Sequence, residues 1–491
     1  MASANLYLCT FIVISISQIC VGDYRAAVVE YQPAESANPN TTMETNTNQY
    51  RSFVEQAKKE GAVIIVFPDY GITGYNPNVT AYALEIPDVG TKPNSTNGLI
   101  LEKLADLSRS FDMYVVLNLL EKKTNNNNKT LYYSTNLAFN PNGEIVAKSR
   151  KTHLFNEANL TPGKPSENNN TFETTFGVTF QLFSTYDLIS EKPNTNVKDI
   201  VYPSSWISTL PFYHSLSMQH GYAVANKVNL LAANLNNPSV ALGGSGIFGS
   251  NGTAYQSYIS GTTASKILIA TVVDTVINAS ATRHFTNKFF KGGLGSFDFD
   301  DDKPEILKYQ SNRLFENKKY TIKTLDLSQH NIKEKICHRS FCCQFNINVT
   351  TNSSTDVYKL VAYSGSVDIF GTQKKTQRVC SLVACVTSQD STCGNSTVEP
   401  STKFSSILVE STVANANSFV PLTLTTKLEP IFNTTFDSTA VKNDRKLSLL
   451  SELETSSVLA FGIVETTISG STTVTFSFAL MSIIVLRYIL F

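Results

Sequence analysis

No cysteine occurs between Asp23 and Ile336, yet six (Cys337, Cys342, Cys343, Cys380, Cys385 and Cys393) crowd the window that follows. The long first part must therefore be held by a buried apolar core alone, while the later part has the means to be cross-linked. An even, clustered set in an oxidising compartment reads as three disulfides among these six residues, their pairing undetermined by sequence. Cys342 and Cys343 are not expected to bond to each other, since adjacent residues rarely reach disulfide geometry without strain. A metal site with His338 in reach of the cluster is the alternative. A chain of 491 residues has room for two or three domains, each with an ample core.

Both ends of the chain carry signals of export. Leu6–Ile19 is an apolar run too short to span a bilayer and is followed by the small residues of Cys20-Val21-Gly22. It reads as a secretory signal peptide over residues 1–22, taking Cys9 and Cys20 with it, although its basic leading segment is absent. Phe476–Phe491 is almost wholly apolar, interrupted by Arg487, and lies behind the small triplet Ser469-Gly470-Ser471. That order suits a glycosylphosphatidylinositol (GPI) signal over residues 469–491, with Ser469 or Gly470 as the attachment site. A single transmembrane helix is the competing reading. Sequons at Asn40, Asn78, Asn94, Asn128, Asn159, Asn169, Asn251, Asn278, Asn348, Asn352, Asn395 and Asn433 fit an extracellular surface. Asn159 is the weakest of them, because it falls beside the candidate site. Forty basic and 40 acidic residues balance, which gives no electrostatic reason to expect a nucleic-acid partner.

The first part alternates strand and helix signals. Ala26–Tyr31 is a short β-type run, Asn48–Lys59 has amphipathic helical spacing, and Val63–Phe67 is an apolar strand stopped by Pro68. Gly98–Phe111 predicts a helix and Tyr114–Leu120 a buried strand. Tyr132–Phe139 and Ile145–Lys148 flank the hairpin signal Asn140-Pro141-Asn142-Gly143. Thr179–Phe183 and Asp199–Tyr202 predict further strands. This order implies an α/β sheet covered by helices.

Six blocks carry a family resemblance. Phe67-Pro68-Asp69-Tyr70-Gly71, Arg150-Lys151-Thr152-His153-Leu154-Phe155 and Phe183-Ser184-Thr185-Tyr186-Asp187 come in the order of the catalytic Glu, Lys and Cys blocks of the nitrilase superfamily. Asn156–Gly163, which contains Glu157, resembles the stretch with that superfamily's second glutamate. Tyr202-Pro203-Ser204-Ser205-Trp206 and Gly243–Ile247 resemble its strand end and its Gly-x-Ser-x-Ile turn. With the cysteine-rich window, the pattern most resembles the vanin/biotinidase branch. The resemblance implies a four-layer α-β-β-α sandwich over residues 23–290 and a β-rich, disulfide-containing base domain over residues 291–468. It also implies GPI-anchored pantetheinases or biotin-amide hydrolases as relatives, a small linear amide as ligand, and neither cofactor nor metal.

In that family a cysteine thiolate attacks an amide carbonyl, a glutamate moves protons, and a lysine stabilises the oxyanion. Here Thr185 occupies the nucleophile position and Asp69 the base position, while Lys151 is intact and Glu157 is expected to support it. A threonine hydroxyl is far less acidic than a thiol, and the known threonine nucleophiles use their own N-terminal amine as base. Asp69 is expected to withdraw its carboxylate by about 1 Å, a displacement able to cost on the order of 100-fold in rate. Ser184 is the only neighbouring hydroxyl visible in sequence, and strand alternation points it away. Residues 187–201 lack the apolar stripe of the helix expected there. His153 and Trp206 are read as structural. The chain thus reads as an impaired member of the family, with a divergent active amidohydrolase as the alternative.

Overall fold

The computed structural model describes residues 23–273 and 320–465, apart from residues 76, 155–156, 158, 370–372, 396, 398 and 415–417. The first half begins with β1 (Tyr24–Glu30), α1 (Pro39–Lys59), β2 (Ile64–Val66), α2 (Val79–Tyr82), α3 (Leu99–Phe111), β3 (Tyr114–Thr124), β4 (Thr130–Phe139) and β5 (Ile145–Arg150). It continues with β6 (Thr171–Glu173), β7 (Thr179–Leu182), β8 (Asp199–Ser204), α4 (Ser215–Asn226), β9 (Asn229–Asn234), β10 (Ser245–Phe248), β11 (Ala254–Tyr258) and β12 (Lys266–Val272). Among the described residues these strands form two six-stranded sheets, ordered β12-β1-β2-β3-β4-β5 and β11-β10-β9-β8-β7-β6.

Strand alternation explains why the sheets stack. Ala26, Val28, Ile64, Val66, Val116 and Ala138 of one sheet meet Phe180, Leu182, Val201, Leu231, Ala233 and Ile247 of the other in a single buried cluster. The opposite faces of β1–β3 pack under α1 and α3 through Ala27, Val29, Ile65, Val115, Tyr50, Val54, Leu101 and Leu104. On the far side α4 covers the second sheet, sharing a cluster with Tyr202, Leu230 and Phe248. The result is the expected four-layer α-β-β-α order.

Helix α1 starts well before the expected Asn48. Asn38 caps it, accepting hydrogen bonds from the backbone N–H groups of Asn40 (2.9 Å) and Thr41 (3.4 Å), and Pro39 opens the first turn. Its buried face there is mainly polar (Thr42, Asn46, Thr47), with Met43 the single apolar residue before Tyr50, so the apolar periodicity is too sparse to reveal it. Asn46 compensates for its burial by bonding Tyr31, Ala34 and the Ile72 carbonyl, which ties the helix to the loop after β2. Between β7 and β8 the expected erosion is present: a single 3-10 turn, Asp187–Ile189, replaces a helix.

The second half comprises β13 (Thr321–Thr324), β14 (Asn331–His338), β15 (Phe341–Thr351), β16 (Val357–Ile369), β17 (Gln373–Cys385), β18 (Lys403–Ala414), β19 (Phe419–Thr425), β20 (Thr434–Val441), β21 (Asp444–Ser451) and β22 (Val458–Glu465). They form two five-stranded sheets, β13-β16-β17-β22-β19 and β14-β15-β18-β21-β20. All six cysteines are in disulfides, Cys337–Cys342, Cys343–Cys380 and Cys385–Cys393, so the metal alternative falls away. Neighbours Cys342 and Cys343 point to opposite faces of β15. The first therefore bonds across the β14–β15 hairpin, while the second crosses to the other sheet at β17. The two halves meet where α4 packs on β19. A Cβ on Gly221 of α4 would stand 2.4 Å from the Pro421 carbonyl oxygen, so only glycine permits this approach.

Candidate active site

Strand ends from both stacked sheets converge on one point. Asp69 lies just beyond β2, Lys151 directly follows β5, and Thr185 lies just beyond β7, beside the end of β8. Asp69 is pinned across the sheets by its N–H bond to the Ser204 carbonyl (3.2 Å). Tyr70 follows in the left-handed region (φ 59°), its N–H donating to Asn118 Oδ1 at 3.1 Å. A non-glycine residue there costs of order 1 kcal/mol or more and is held by its surroundings. Gly71 is required for a different reason: a Cβ would lie 1.9 Å from the Tyr50 hydroxyl.

All four expected site residues come together. The Thr185 hydroxyl donates to Asp69 Oδ2 at 2.7 Å and accepts the Ser205 N–H at 2.9 Å. Lys151 Nζ lies 2.8 Å from Glu157 Oε1 and 3.8 Å from Asp69 Oδ2. Tyr70 also donates its hydroxyl to Glu157. The shorter acid is thus not withdrawn from position 185, as its lost methylene suggested, because the cross-sheet bond brings its backbone close. Both Asp69 and Thr185 are fully buried. Burial pushes the Asp69 carboxyl up to about 6, against the opposing pull of Lys151 and the Thr185 hydroxyl. Burial would lower the Lys151 ammonium, but Glu157, Tyr70 and Asp69 together hold it above its ordinary value, so it is a fixed cation. Asp69 Oδ1 has no hydrogen-bond partner among the described residues.

The turn at 184–187 is tightly held. Ser184 N–H donates to Asp187 Oδ2 (2.6 Å), Asn136 Nδ2 donates to the Phe183 carbonyl (3.0 Å), and Tyr202 donates its hydroxyl to the Thr185 carbonyl. His153 Nδ1 sits 3.1 Å from Asp187 Oδ1 and 3.7 Å from Glu191 Oε1. Among the described residues, His153, Asp187 and Glu191 are the group whose ligand atoms lie near enough to share a cation, within 4.8 Å. Asp187 is already spent on His153 and on the turn.

Residues 25–279 match the carbon–nitrogen hydrolase family and residues 309–469 the vanin C-terminal domain. The chain belongs to the vanin/biotinidase branch of the nitrilase superfamily. Pantetheinase from Canis lupus familiaris is 26% identical over 458 residues, covering 87% of this chain and 86% of its own. Vanin-like protein 1 from Drosophila melanogaster is 29% identical over 401 residues, covering 76% and 70%. Biotinidase from Takifugu rubripes is 23% identical over 451 residues, covering 82% and 87%.

This vanin-branch site opens into a pocket of about 500 Å³ whose walls include Tyr70, Tyr75, Lys151, Glu157, Tyr186 and Ser205. Thr185 and Asp69 lie behind that wall. Ser205 was not foreseen. Its hydroxyl, half-buried at the end of β8, stands 3.4 Å from Thr185 Oγ1, so Ser184 is not the only nearby alcohol. Ser184 instead accepts from Asn136 Nδ2 at 3.3 Å, away from the pocket. The signal was available, since Ser205 falls within the strand-end block Tyr202–Trp206. Trp206 is core, its indole N–H donating to the Tyr213 carbonyl at 3.0 Å. Of the sequons, Asn40, Asn78, Asn94, Asn128, Asn159, Asn169, Asn251, Asn352 and Asn433 are exposed, and Asn348 and Asn395 are half-buried. Asn159 stands on the pocket wall. Asn278, the leader at 1–22 and the Ser469/Gly470 region lie outside the described residues.

Proposed function

We propose that this protein is an extracellular, GPI-anchored, glycosylated vanin-type protein. It takes up a linear amide of the pantetheine or biotin-amide kind, and Thr185 does not act as its nucleophile. The organisation proposed is a leader over residues 1–22, a hydrolase domain over 23–290, a base domain over 291–468 and a removed tail over 469–491. Its relatives named pantetheinase and biotinidase support the ligand class.

One observation carries the reading. The atom at the nucleophile position is an alcohol that is fully buried, donates to Asp69 at 2.7 Å and accepts from Ser205 N–H at 2.9 Å. An attacking oxygen needs an unencumbered lone pair facing the substrate carbonyl at near-contact distance. Thr185 Oγ1 fails the second condition, being fully buried behind the pocket wall, whereas its partners keep their ionic arrangement: Lys151 remains a buried cation beside Glu157 and Asp69. That retained arrangement also favours the second reading, a divergent amidohydrolase.

The test is restoration. Pantetheine hydrolysis by the unmodified protein should be absent or slow, with no acyl group trapped on Thr185. Thr185→Cys combined with Asp69→Glu should gain covalent acyl trapping at position 185, each single change doing much less, because nucleophile and base act as a unit. Robust turnover in the unmodified protein, with the acyl group mapped to Thr185, would establish the second reading instead.

A further inference from the structure

We propose that Ser205 is the hydroxyl that accepts an acyl group in this pocket, with Thr185 relaying its proton to Asp69. The inference rests on the reading that the pocket takes a linear amide, and it adds a residual chemistry to that reading.

The geometry orders three oxygens from the pocket inward. Ser205 faces the pocket and is half-buried; its Oγ lies 3.4 Å from Thr185 Oγ1, which lies 2.7 Å from Asp69 Oδ2. A half-buried alcohol at the pocket, a buried alcohol and a buried carboxylate thus follow one another inward, and a proton passes in two steps, the outer closing from 3.4 Å as the Ser205 side chain turns and the inner along the 2.7 Å bond. Thr185 is suited to the middle place and not to the first: it is fully buried, and its donor is already directed at the carboxylate. Ser205 is unbranched, so its hydroxyl swings toward a substrate without the restriction that β-branching imposes on threonine. Its backbone is fixed meanwhile by its own N–H bond to Thr185 and by the next residue's N–H bond to Asn234 Oδ1 at 2.8 Å.

The rest of the apparatus is in place. Lys151 lines the same pocket, and its partners Glu157 and Asp69 keep it charged, a counter-charge for a developing oxyanion. Burial pushes the Asp69 carboxyl up only to about 6, which leaves it mainly ionised at neutral pH and able to take a proton.

The step balances. Ser205 Oγ bonds to the acyl carbon as its proton passes to Thr185 Oγ1 and the Thr185 proton passes to Asp69 Oδ2. The tetrahedral oxyanion collapses, the C–N bond breaks, and the proton held at Asp69 leaves with the amine by the same path. Water then cleaves the Ser205 ester, giving up one proton to Asp69 through Thr185, and that proton returns to Ser205. Relative to a thiolate the nucleophile is a neutral alcohol, so the acyl-enzyme forms slowly and needs an activated substrate to accumulate.

The experiment uses purified full-length protein and p-nitrophenyl acetate at neutral pH, with acid quench, proteolysis and mass mapping of acetylated residues. Pantetheine binding to the same preparation is measured by calorimetry. An acetyl ester on Ser205 is expected, absent in Ser205→Ala. Thr185→Val should slow its formation by about 100-fold, the lower end of what a proton-transfer group contributes, without weakening pantetheine binding. Acetyl on Thr185, acetyl on surface lysines only, or an unchanged rate in Thr185→Val would overturn the proposal. Pantetheine bound without a Ser205 ester refutes the relay and leaves the ligand reading standing; absence of both refutes both.

Discussion

Replacing Thr185 by valine tests the site with almost no change in volume, because a methyl takes the place of the hydroxyl. The hydroxyl is the hydrogen-bond donor to Asp69 Oδ2 at 2.7 Å, and Oδ1 has none among the described residues. Lys151 remains at 3.8 Å, too far to replace it as a donor. A hydrogen bond to a charged group contributes about 1.5–3 kcal/mol, and about 1.4 kcal/mol corresponds to one pH unit. The Asp69 carboxyl should therefore rise from about 6 by roughly one to two units, passing from mostly ionised to half or more protonated at neutral pH.

The direction of the stability change follows. Asp69 is raised by burial above its ordinary value of 3.8. Its protonated form therefore contributes stability that is complete below that value and is lost as pH rises through the folded value. In Thr185→Val this loss should extend to higher pH and grow by about 1.5–3 kcal/mol on the alkaline side. Urea unfolding from about pH 4 to about pH 9 measures it, and the infrared band of a protonated carboxyl, absent in an Asp69→Asn background, assigns it. A variant whose stability profile overlays that of the parent, with no shift in that band, would show that the hydroxyl does not hold this carboxylate and would remove the middle of the proposed relay.

Two other perturbations probe what surrounds the site. Glu121 is buried between Lys148 (2.8 Å) and Arg150 (2.7 Å) and accepts the Thr135 hydroxyl at 2.8 Å. Burial would raise its carboxyl, but the Arg150 and Lys148 contacts hold it below its ordinary value of 4.5, so its contribution is fully present above that value and lost as pH falls through the lower folded value. Glu121→Gln should destabilise by about 3–5 kcal/mol at neutral pH and flatten the acid limb of the stability profile; a loss under about 1 kcal/mol would deny the cluster its role in fixing β5 and hence Lys151. For the membrane attachment proposed at Ser469 or Gly470, phosphatidylinositol-specific phospholipase C should release the protein from cells. Retention, with the tail peptide still detectable, would mean a transmembrane helix.

The elements that sequence revealed are those whose burial is apolar and local. Val63–Phe67 and Tyr114–Leu120 are nearly continuous apolar runs and became the central strands β2 and β3. The first turns of α1 were illegible because they bury threonine and asparagine, a choice that makes sense only once Tyr31, Ala34 and the Ile72 carbonyl are seen around Asn46. Disulfide pairing was illegible for a similar reason. Alternation separates Cys342 from Cys343, but which strand each faces depends on the stacking of two sheets.

The site shows the same division at closer range. Motif order located Asp69, Lys151, Glu157 and Thr185, since each sits at or beyond a strand end whose neighbours in sequence are diagnostic. Motif order also suggested that an acid shortened by one methylene and a hydroxyl in place of a thiol were two separate losses. In space they meet: the short acid and the short alcohol form one buried bond of 2.7 Å, drawn together by the Asp69 N–H bond to the Ser204 carbonyl. The residues at the base and nucleophile positions are here bonded to each other behind the pocket wall. The residue one place after Ser204, Ser205, lines the pocket, its hydroxyl 3.4 Å from Thr185 Oγ1. The proposed relay from Ser205 through Thr185 depends on the contact between the ends of β7 and β8, which no spacing along the chain encodes.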